Sequence, residues 1–402
     1  GMARTEFNPK MYGPDLWTAF KEIKTAFDPE WLMHPGNVVY RDGTDDVGPD
    51  SGRGVGADMR ENLRYGAEYQ SLEPQTEMDF SEEGGFSHLV ELCNGCGTCR
   101  QTQSDVMCPT YRASKEEIQA TRGRANMLRA AISGELPPEE IHSDRFQDEV
   151  LDLCVGCKGC KSDCPTGVDL AKLKAEVKHQ HHERDGSGIR EKVFADIDRL
   201  SAIGSALAPV SNWASKVPGA RDLMEGVLGI AAERDLPEFQ RESFVDWFET
   251  REPRVSFTEA DRKVLLFPDT YTNYNLPEAG KAAVRVLEAA GVHVAVPEGT
   301  APSGRPAYSK GFLDKARTRA RHNVETLAPR VEEGWSVVFV EPSDAVMFQD
   351  EYRDLLSGPD VEAVSGNAYG VCEYLDVHRL DEAIDFDGHG SVAYHGHCNQ
   401  KA

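Results

Sequence analysis

Eight of the ten cysteines fall into two runs whose spacing suits soft-metal ligation. The second run is Cys154-x2-Cys157-x2-Cys160-x3-Cys164, followed by Pro165. The first is Cys93-x2-Cys96-x2-Cys99, with Cys108-Pro109 after eight intervening residues. Three thiolates two residues apart can wrap one turning loop around a [4Fe–4S] cube, and the fourth ligand must come from elsewhere to close the cage. Proline after that cysteine turns the chain away, because it cannot continue a preceding helix. Gly95, Gly97, Gly156 and Gly159 lie between the ligands, where such loops need positive φ and close backbone approach. Zinc also takes Cys-x2-Cys pairs, but structural zinc needs two pairs rather than two triplets each followed by Cys-Pro. Cluster-bound cysteines are expected to be reduced rather than disulfide-bonded, which implies a cytoplasmic chain.

The second run resembles that of bacterial-type two-cluster ferredoxins, in which the fourth cysteine of each run serves the other run's cluster. That resemblance implies Cys93, Cys96, Cys99 and Cys164 for cluster one, and Cys154, Cys157, Cys160 and Cys108 for cluster two. Arg122 and Arg124 are expected either to donate to cluster sulfurs and neighbouring carbonyls or to lie on an ordinary surface helix.

The elements that must hold these loops follow from periodicity. Leu16, Trp17, Phe20, Ile23, Lys24 and Phe27 form a helical stripe. Asp28-Pro29 ends it, and His34-Pro35-Gly36 turns into a short strand, Val38–Tyr40. Residues 46–85 are an acidic linker, expected to be extended or mobile. In the cluster domain, 86–185, Ser114-Lys115-Glu116-Glu117 reads as a capping box opening a helix towards Leu128. A second helix spans Leu170 to His182. Residues 186–260 are a helical connector with Val193, Ile197, Leu200 and Ile203 on one face. Strands at Val264–Phe267, Val292–Val296 and Ser336–Val340 alternate with helices at Pro277–Ala290 and Lys315–Leu327, the pattern of a parallel sheet. Ser391–Tyr394 begins another strand. The fold class expected is α+β multidomain: a mainly helical two-[4Fe–4S] ferredoxin-like domain, then an α/β parallel-sheet domain over 261–402.

The 402 residues suffice for two or three domains, and the net charge of −24 argues against nucleic acid as a partner. Acidic residues are spread rather than blocked, as on a solvated surface or in a salt-adapted protein. No apolar run approaches bilayer-spanning length, so a soluble or peripheral chain is expected. Gly1-Met2 and an end within an apparent motif, His395 to Ala402, point to a fragment.

Cys93-Asn94-Gly95-Cys96-Gly97-Thr98-Cys99-Arg100, Met107-Cys108-Pro109-Thr110-Tyr111, Thr121–Ala125 and the second cysteine run resemble FAD-linked D-2-hydroxy-acid dehydrogenases. D-lactate, D-2-hydroxyglutarate and glycolate enzymes make up this group. The resemblance implies an FAD-binding oxidase domain, an iron–sulfur domain and a cysteine-rich CCG domain. Ile23–Pro29 through Gly36 resembles the end of the FAD domain, so residues 1–45 are its expected tail. His34 and Asn37, where the family usually has Asn-Pro-Gly-Lys, are expected to approach FAD. Leu63-Arg64-Tyr65-Gly66 and Phe80–Phe86 resemble the family's linker, and Phe267–Tyr274 the start of its cysteine-rich domain. Ser303 and Asp344 stand where that domain often has cysteine. No cluster is therefore expected there, since hydroxyl and carboxylate do not replace thiolates. Cys398 matches the opening cysteine of its second half.

The resemblance implies an oxidoreductase segment passing electrons from FAD through two [4Fe–4S] clusters to a quinone or another carrier, with D-lactate as the expected substrate. The FAD domain is expected in the same polypeptide, with the cytoplasmic face of a membrane as a candidate location. The segment alone is expected to be inactive. The alternatives are an iron–sulfur subunit of a glycolate oxidase or glycerol-3-phosphate dehydrogenase complex, and a heterodisulfide-reductase-like subunit. His179, His181 and His182 are read as an exposed helical surface, Cys372 as a core residue, and His395, His397 and Cys398 as a loop end.

Overall fold

The computed structural model describes residues 5, 7–41, 69–103, 106–258, 260–384, 388, 390–391 and 393–401. Residues 1–70 and 71–402 form two compact units. In the smaller, helix α1 (Asn8–Phe27) bends at Gly13, which takes φ 77° ahead of Pro14. Asp28 ends the helix: its carboxylate accepts Lys24 Nζ at 2.6 Å and the N–H groups of Leu32 and Met33 at 3.0 and 2.9 Å. Trp17, Trp31 and Val39 form the small core. Of the expected stripe only Trp17 is fully buried, and Leu16, Ile23 and Phe27 are exposed. The strand expected at Val38–Tyr40 is a bend. Val38 takes φ 72° and its N–H goes to Thr5 Oγ1, so the segment turns rather than pairs.

The larger unit opens with an extended strap, residues 71–80. Part of the expected linker thus belongs to a packed unit: Met78 and Phe80 are buried, and Glu176 accepts the Glu77 and Met78 N–H groups at 3.0 Å each. Leu63–Gly66 lies outside the described residues. Glu73 accepts the N–H groups of Phe86 and Ser87 at the start of α2 (Phe86–Glu91), where a carboxylate complements the helix dipole. Helices α3 (Pro109–Ser114), α4 (Thr121–Ile132), α5 (Gly159–Asp163) and α6 (Leu170–Asp185) build the cluster half. Ser114 closes α3 instead of opening a helix. Pro109 starts α3 early, Lys115 turns left-handed at φ 62°, and Glu116 N–H falls back on Ser114 Oγ. Asp169 caps α6 by accepting Lys172 N–H.

The connector is α7 (Ile189–Ala195), α8 (Ile197–Ala206), α9 (Val210–Ala214) and α10 (Ala220–Leu228). Leu200 and Ile203, two of the four residues expected on one face, are exposed. Four parallel strands follow in the order β2-β1-β3-β4: β1 (Arg262–Leu266), β2 (Val292–Ala295), β3 (Ser336–Phe339) and β4 (Ala368–Gly370). Helices cover both faces. On one, Val264, Leu266 and Val338 meet Phe244 of α11 (Phe244–Thr250) and Val284 and Leu287 of α13 (Pro277–Ala289), which follows α12 (Thr270–Tyr274). On the other, Leu265, Val337 and Phe339 meet Ala316, Ala320 and Leu327 of α15 (Leu313–Glu332), which follows α14 (Arg305–Ser309). That second core is continuous with Phe86, Leu128 and Leu173 of the cluster half. The sequence reading missed β4, only three residues long. Of the strand expected at 391–394, Val392 lies outside the described residues, and Ser391, Ala393 and Tyr394 are not in a strand. After β1 the chain crosses to β2 on one side and then to β3 on the other, so a crevice opens outside the carboxyl ends of β1 and β3.

Candidate metal centres

Two small cavities lie in the cluster half, and each is ringed by four cysteines. One is lined by Cys93, Cys96, Cys99 and Cys164. The other is lined by Cys154, Cys157, Cys160 and Cys108. Each ring draws three cysteines from one run and its fourth from the other. The runs interlock to do this: Asp163 Oδ2 accepts the N–H groups of Val106 and Met107 at 2.7 and 2.8 Å, pinning the approach to Cys108 beside the second run. Gly159 permits the contact, since a Cβ there would meet Val106 Cγ1 at 2.9 Å.

Local chemistry repeats around the rings. Cys108-Pro109-Thr110 and Cys164-Pro165-Thr166 each place a threonine hydroxyl near the cysteine two residues earlier, at 3.2 and 3.4 Å from sulfur. Thr98 does the same for Cys96 at 3.4 Å. Gly95 and Gly97 take φ 78° and 82°, a turn that only glycine adopts cheaply. Arg122 N–H points at Cys99 Sγ and Leu170 N–H at Cys160 Sγ, both at 3.4 Å. Arg124 is fully buried, ties to Val150 O and Gln119 and reaches Cys108 Sγ at 3.7 Å, so the surface-helix alternative does not hold for it. Arg122 donates to Gly95 O and pairs with Glu117.

The sulfurs are held against their own repulsion. Burial, then Cys154 and Cys108, pushes the Cys157 thiol up to about 12. Burial and nearby Asp169 raise Cys160, and burial raises Cys99. At Cys108 burial also acts upward, but Thr110, the Tyr111 N–H and Arg124 together bring the thiol below its ordinary value. The Thr98 hydroxyl lowers Cys96. Four converging sulfurs with few countercharges fit an iron–sulfur cluster, whose iron would supply the missing positive charge and displace the protons.

Sequence reasoning missed the charged network behind the second ring. Lys158, left-handed at φ 59° between Cys157 and Cys160, is buried. Its ammonium lies 3.0 Å from Asp169, 2.7 Å from Asp350, 3.9 Å from Glu351 and 4.0 Å from Asp354. Arg305, in the sheet half, donates to Gly156 O at 3.1 Å and pairs with Glu351. A lysine within a cysteine run was the only signal, and three of its four partners, Asp350, Glu351 and Asp354, come from the sheet half, far on in sequence.

Other candidates fall elsewhere. His34 and Asn37 share one turn of the smaller unit, with Asn37 N–H on His34 O and Asn37 Oδ1 buried without a partner. The three histidines of α6 are not an exposed surface. His179 is buried with Nδ1 3.3 Å from Gly311 O, His181 meets His142 O, and His182 packs on Phe312. Among the described residues, His179, Glu183 and Asp314 bring one ligand atom each within 4.8 Å of one another. Cys372 is exposed rather than core, because it sits in the first turn of the helix Val371–Val377 at the sheet's carboxyl edge. Ser303 and Asp344 come together, the hydroxyl donating to the carboxylate. His397 caps the turn Cys398–Lys401, with Asn399 N–H on Nδ1.

Residues 89–168 match the family described as 4Fe-4S dicluster domain, and residues 1–38 match the C-terminal domain of FAD linked oxidases. The chain is 24% identical over 395 residues to a D-2-hydroxyglutarate dehydrogenase of Haemophilus influenzae, covering 88% of this chain and 36% of that protein. It is 29% identical over 270 residues to a subunit of the anaerobic glycerol-3-phosphate dehydrogenase of Escherichia coli, covering 66% and 63%. It is 25% identical over 323 residues to the glycolate oxidase iron-sulfur subunit of the same organism, covering 77% and 71%. No solved structure matches. The chain thus spans 36–39% of the length of the D-2-hydroxyglutarate dehydrogenases it matches. These matches bear out the resemblance to the iron–sulfur region of FAD-linked hydroxy-acid dehydrogenases, and with it the cofactor expectation of [4Fe–4S] clusters and FAD.

Proposed function

We propose that this chain is the electron-transfer part of an FAD-dependent D-2-hydroxy-acid dehydrogenase. In this reading Cys93, Cys96, Cys99 and Cys164 hold the first cluster, and Cys154, Cys157, Cys160 and Cys108 hold the second. The observation that carries it is the pair of four-cysteine cavities, each drawn from both runs. Bound clusters supply one-electron steps between a two-electron flavin and a carrier such as a quinone. The protein's part is placement and tuning. Thr98, Thr110 and Thr166 hydroxyls, the Arg122 and Leu170 N–H groups and the Arg124 guanidinium lie around the sulfurs. Such donors stabilise the added negative charge and raise the potential.

The substrate is proposed as a D-2-hydroxy acid, D-lactate by the sequence reading and D-2-hydroxyglutarate by the first relatives. FAD would be held by a domain to which residues 1–38 contribute the tail, His34 and Asn37 approaching the flavin. The sheet half is proposed as a CCG-type domain in which Ser303 and Asp344 leave no thiolate pair. No helix among the described residues is long and apolar enough to cross a membrane. A cytoplasmic location is proposed from the reduced cysteines, with any delivery of electrons to a membrane carrier at its cytoplasmic face. A second reading, an iron–sulfur subunit serving a separate flavoprotein, draws on the glycerol-3-phosphate dehydrogenase and glycolate oxidase relatives. The FAD-oxidase match at residues 1–38 weighs against it.

Single cysteine variants test the ligand sets. Cys164→Ser should perturb the same cluster signal as Cys96→Ser, and Cys108→Ser the same signal as Cys157→Ser. If Cys164→Ser instead matches Cys157→Ser, the crossed assignment is wrong.

A further inference from the structure

We propose that the buried carboxylates in the crevice at the sheet's carboxyl edge, centred on Asp344, take up a proton from solvent when the second cluster receives an electron. The inference rests on the cluster reading above and adds a proton site that reading does not contain.

Asp269 follows β1, Glu341 and Asp344 follow β3, and Ser303 and Arg305 follow β2, so all five gather at the crevice between the carboxyl ends of β1 and β3. Contacts run from there to the second cluster's loop. Arg305 attracts Asp344, pairs with Glu351 and donates to Gly156 O, while Lys158 reaches Asp169, Asp350, Glu351 and Asp354.

Charge in this network does not balance. Asp169, Asp269, Asp344, Glu351 and Asp354 are each at least nine-tenths buried. Facing them in the interior are the cations Lys158, Lys172 and Arg305. Two buried negative charges are left over if every carboxyl ionises, and a low-dielectric interior answers such an excess by binding protons. Two carboxylate oxygens, Asp269 Oδ2 and Glu351 Oε2, are buried with no hydrogen-bond partner. Such an oxygen is a natural proton acceptor or proton carrier.

Asp344 is the best placed of the set. Burial, then the neighbouring Asp269, pushes its carboxyl up, and Glu341 adds to this. The Ser303 hydroxyl and Arg305 act the other way. Tyr352 also faces it, with its hydroxyl held between Asn323 Nδ2 and Ser303 O, both at 2.9 Å. Further ionisable groups among the described residues on or near helix α16 (Pro342–Val346) are Asp350 and Glu351 on the following turn, Tyr369 on β4, Cys398 and Lys401 on the last turn, and Lys158, Lys161 and Glu373 across the crevice. One electron on the second cluster adds one negative charge on the far side of Arg305. Its negative potential partly offsets that of the guanidinium at Asp344 and raises the carboxyl's proton affinity, and by linkage a proton on Asp344 eases the reduction. One electron, from the flavin or a chemical reductant, and one proton, from water, enter together.

The test is a potentiometric titration of the anaerobically loaded full chain between pH 6 and 9. The second cluster is identified as the signal lost in Cys157→Ser. Its equilibrium constant for reduction should fall at least fivefold across that range, while the first cluster's stays level. Reduced-minus-oxidised infrared spectra should gain a protonated-carboxyl band. Asp344→Asn should flatten the slope and remove the band. The wild-type band stands on its own should the variant fail to fold. A level wild-type profile without that band, or slope and band both retained in Asp344→Asn, would overturn the inference. Absence of any cluster signal would overturn the proposed function, and this inference with it.

Discussion

Lys158 shows how a single residue joins the two halves of the larger unit. It sits between two cysteines of the second ring, yet its ammonium is spent on carboxylates from α6's cap and from the sheet half. Removing one partner of a buried ion pair costs about 3–5 kcal/mol, because the other charge is left unpaired. Lys158→Met should therefore lower the unfolding free energy obtained from denaturant titrations by an amount in that range, and a loss under ~1 kcal/mol would mean the carboxylates find other partners. The eight ring cysteines were legible in the sequence because their chemistry fixes their spacing. Lys158 was not, because its partners are brought in only by the fold. Cys372 misled for a related reason: cysteine is usually a small buried apolar residue, but this one lies on the first turn of a helix at an open sheet edge. The threonines after Cys96, Cys108 and Cys164 could have been read, since Cys-Pro-Thr occurs twice.

At the scale of elements, α6 behaves unlike its composition. Its sequence is mostly polar, yet Lys172, Glu176, Lys178 and His179 are buried along with Leu173 and Val177. Lys172 and Glu176 find partners on other elements: Lys172 pairs with Glu83 and Asp354, and Glu176 holds the strap. Periodicity located this helix but could not show its burial, because charged residues normally mark a solvated face. His182 carries a pH consequence. Burial is the main cause that pushes its imidazole down to about 4, with His181 and Lys178 adding to it. Its folded pKa is depressed, so the unfolded chain binds more protons below the ordinary value of 6.5. Stability contributed by neutral His182 is present above pH 6.5 and is lost as pH falls towards 4. The melting temperature should drop across that window, and His182→Gln should reduce the drop; an unchanged acid profile would exclude the residue. The start of α4 is equally constrained. A Cβ on Gly123 would collide with the Glu117 carbonyl. Gly123→Ala should cost about 3 kcal/mol through this backbone clash and lower the iron bound per chain. Normal iron content and stability in that variant would contradict the packing described for the first ring.

Over the whole molecule, the charge of −24 is spread across a surface that must repel itself. Raising salt from about 0.1 to about 1 M shortens the screening length from roughly 10 to 3 Å, so the melting temperature should rise, and a fall would argue against a salt-adapted surface. The parallel sheet and its helices were legible from alternating strand and helix patterns, whereas the three-residue β4 carries too little sequence to register. The central claim is that two rings of four cysteines hold two electron-carrying clusters. The measurement that tests it most directly is iron, acid-labile sulfide and the reduced EPR spectrum of the anaerobically purified chain. Two [4Fe–4S] centres require about eight irons and about eight sulfides per chain, with two interacting signals. Zinc in place of iron, or about four irons with one signal, would contradict the account.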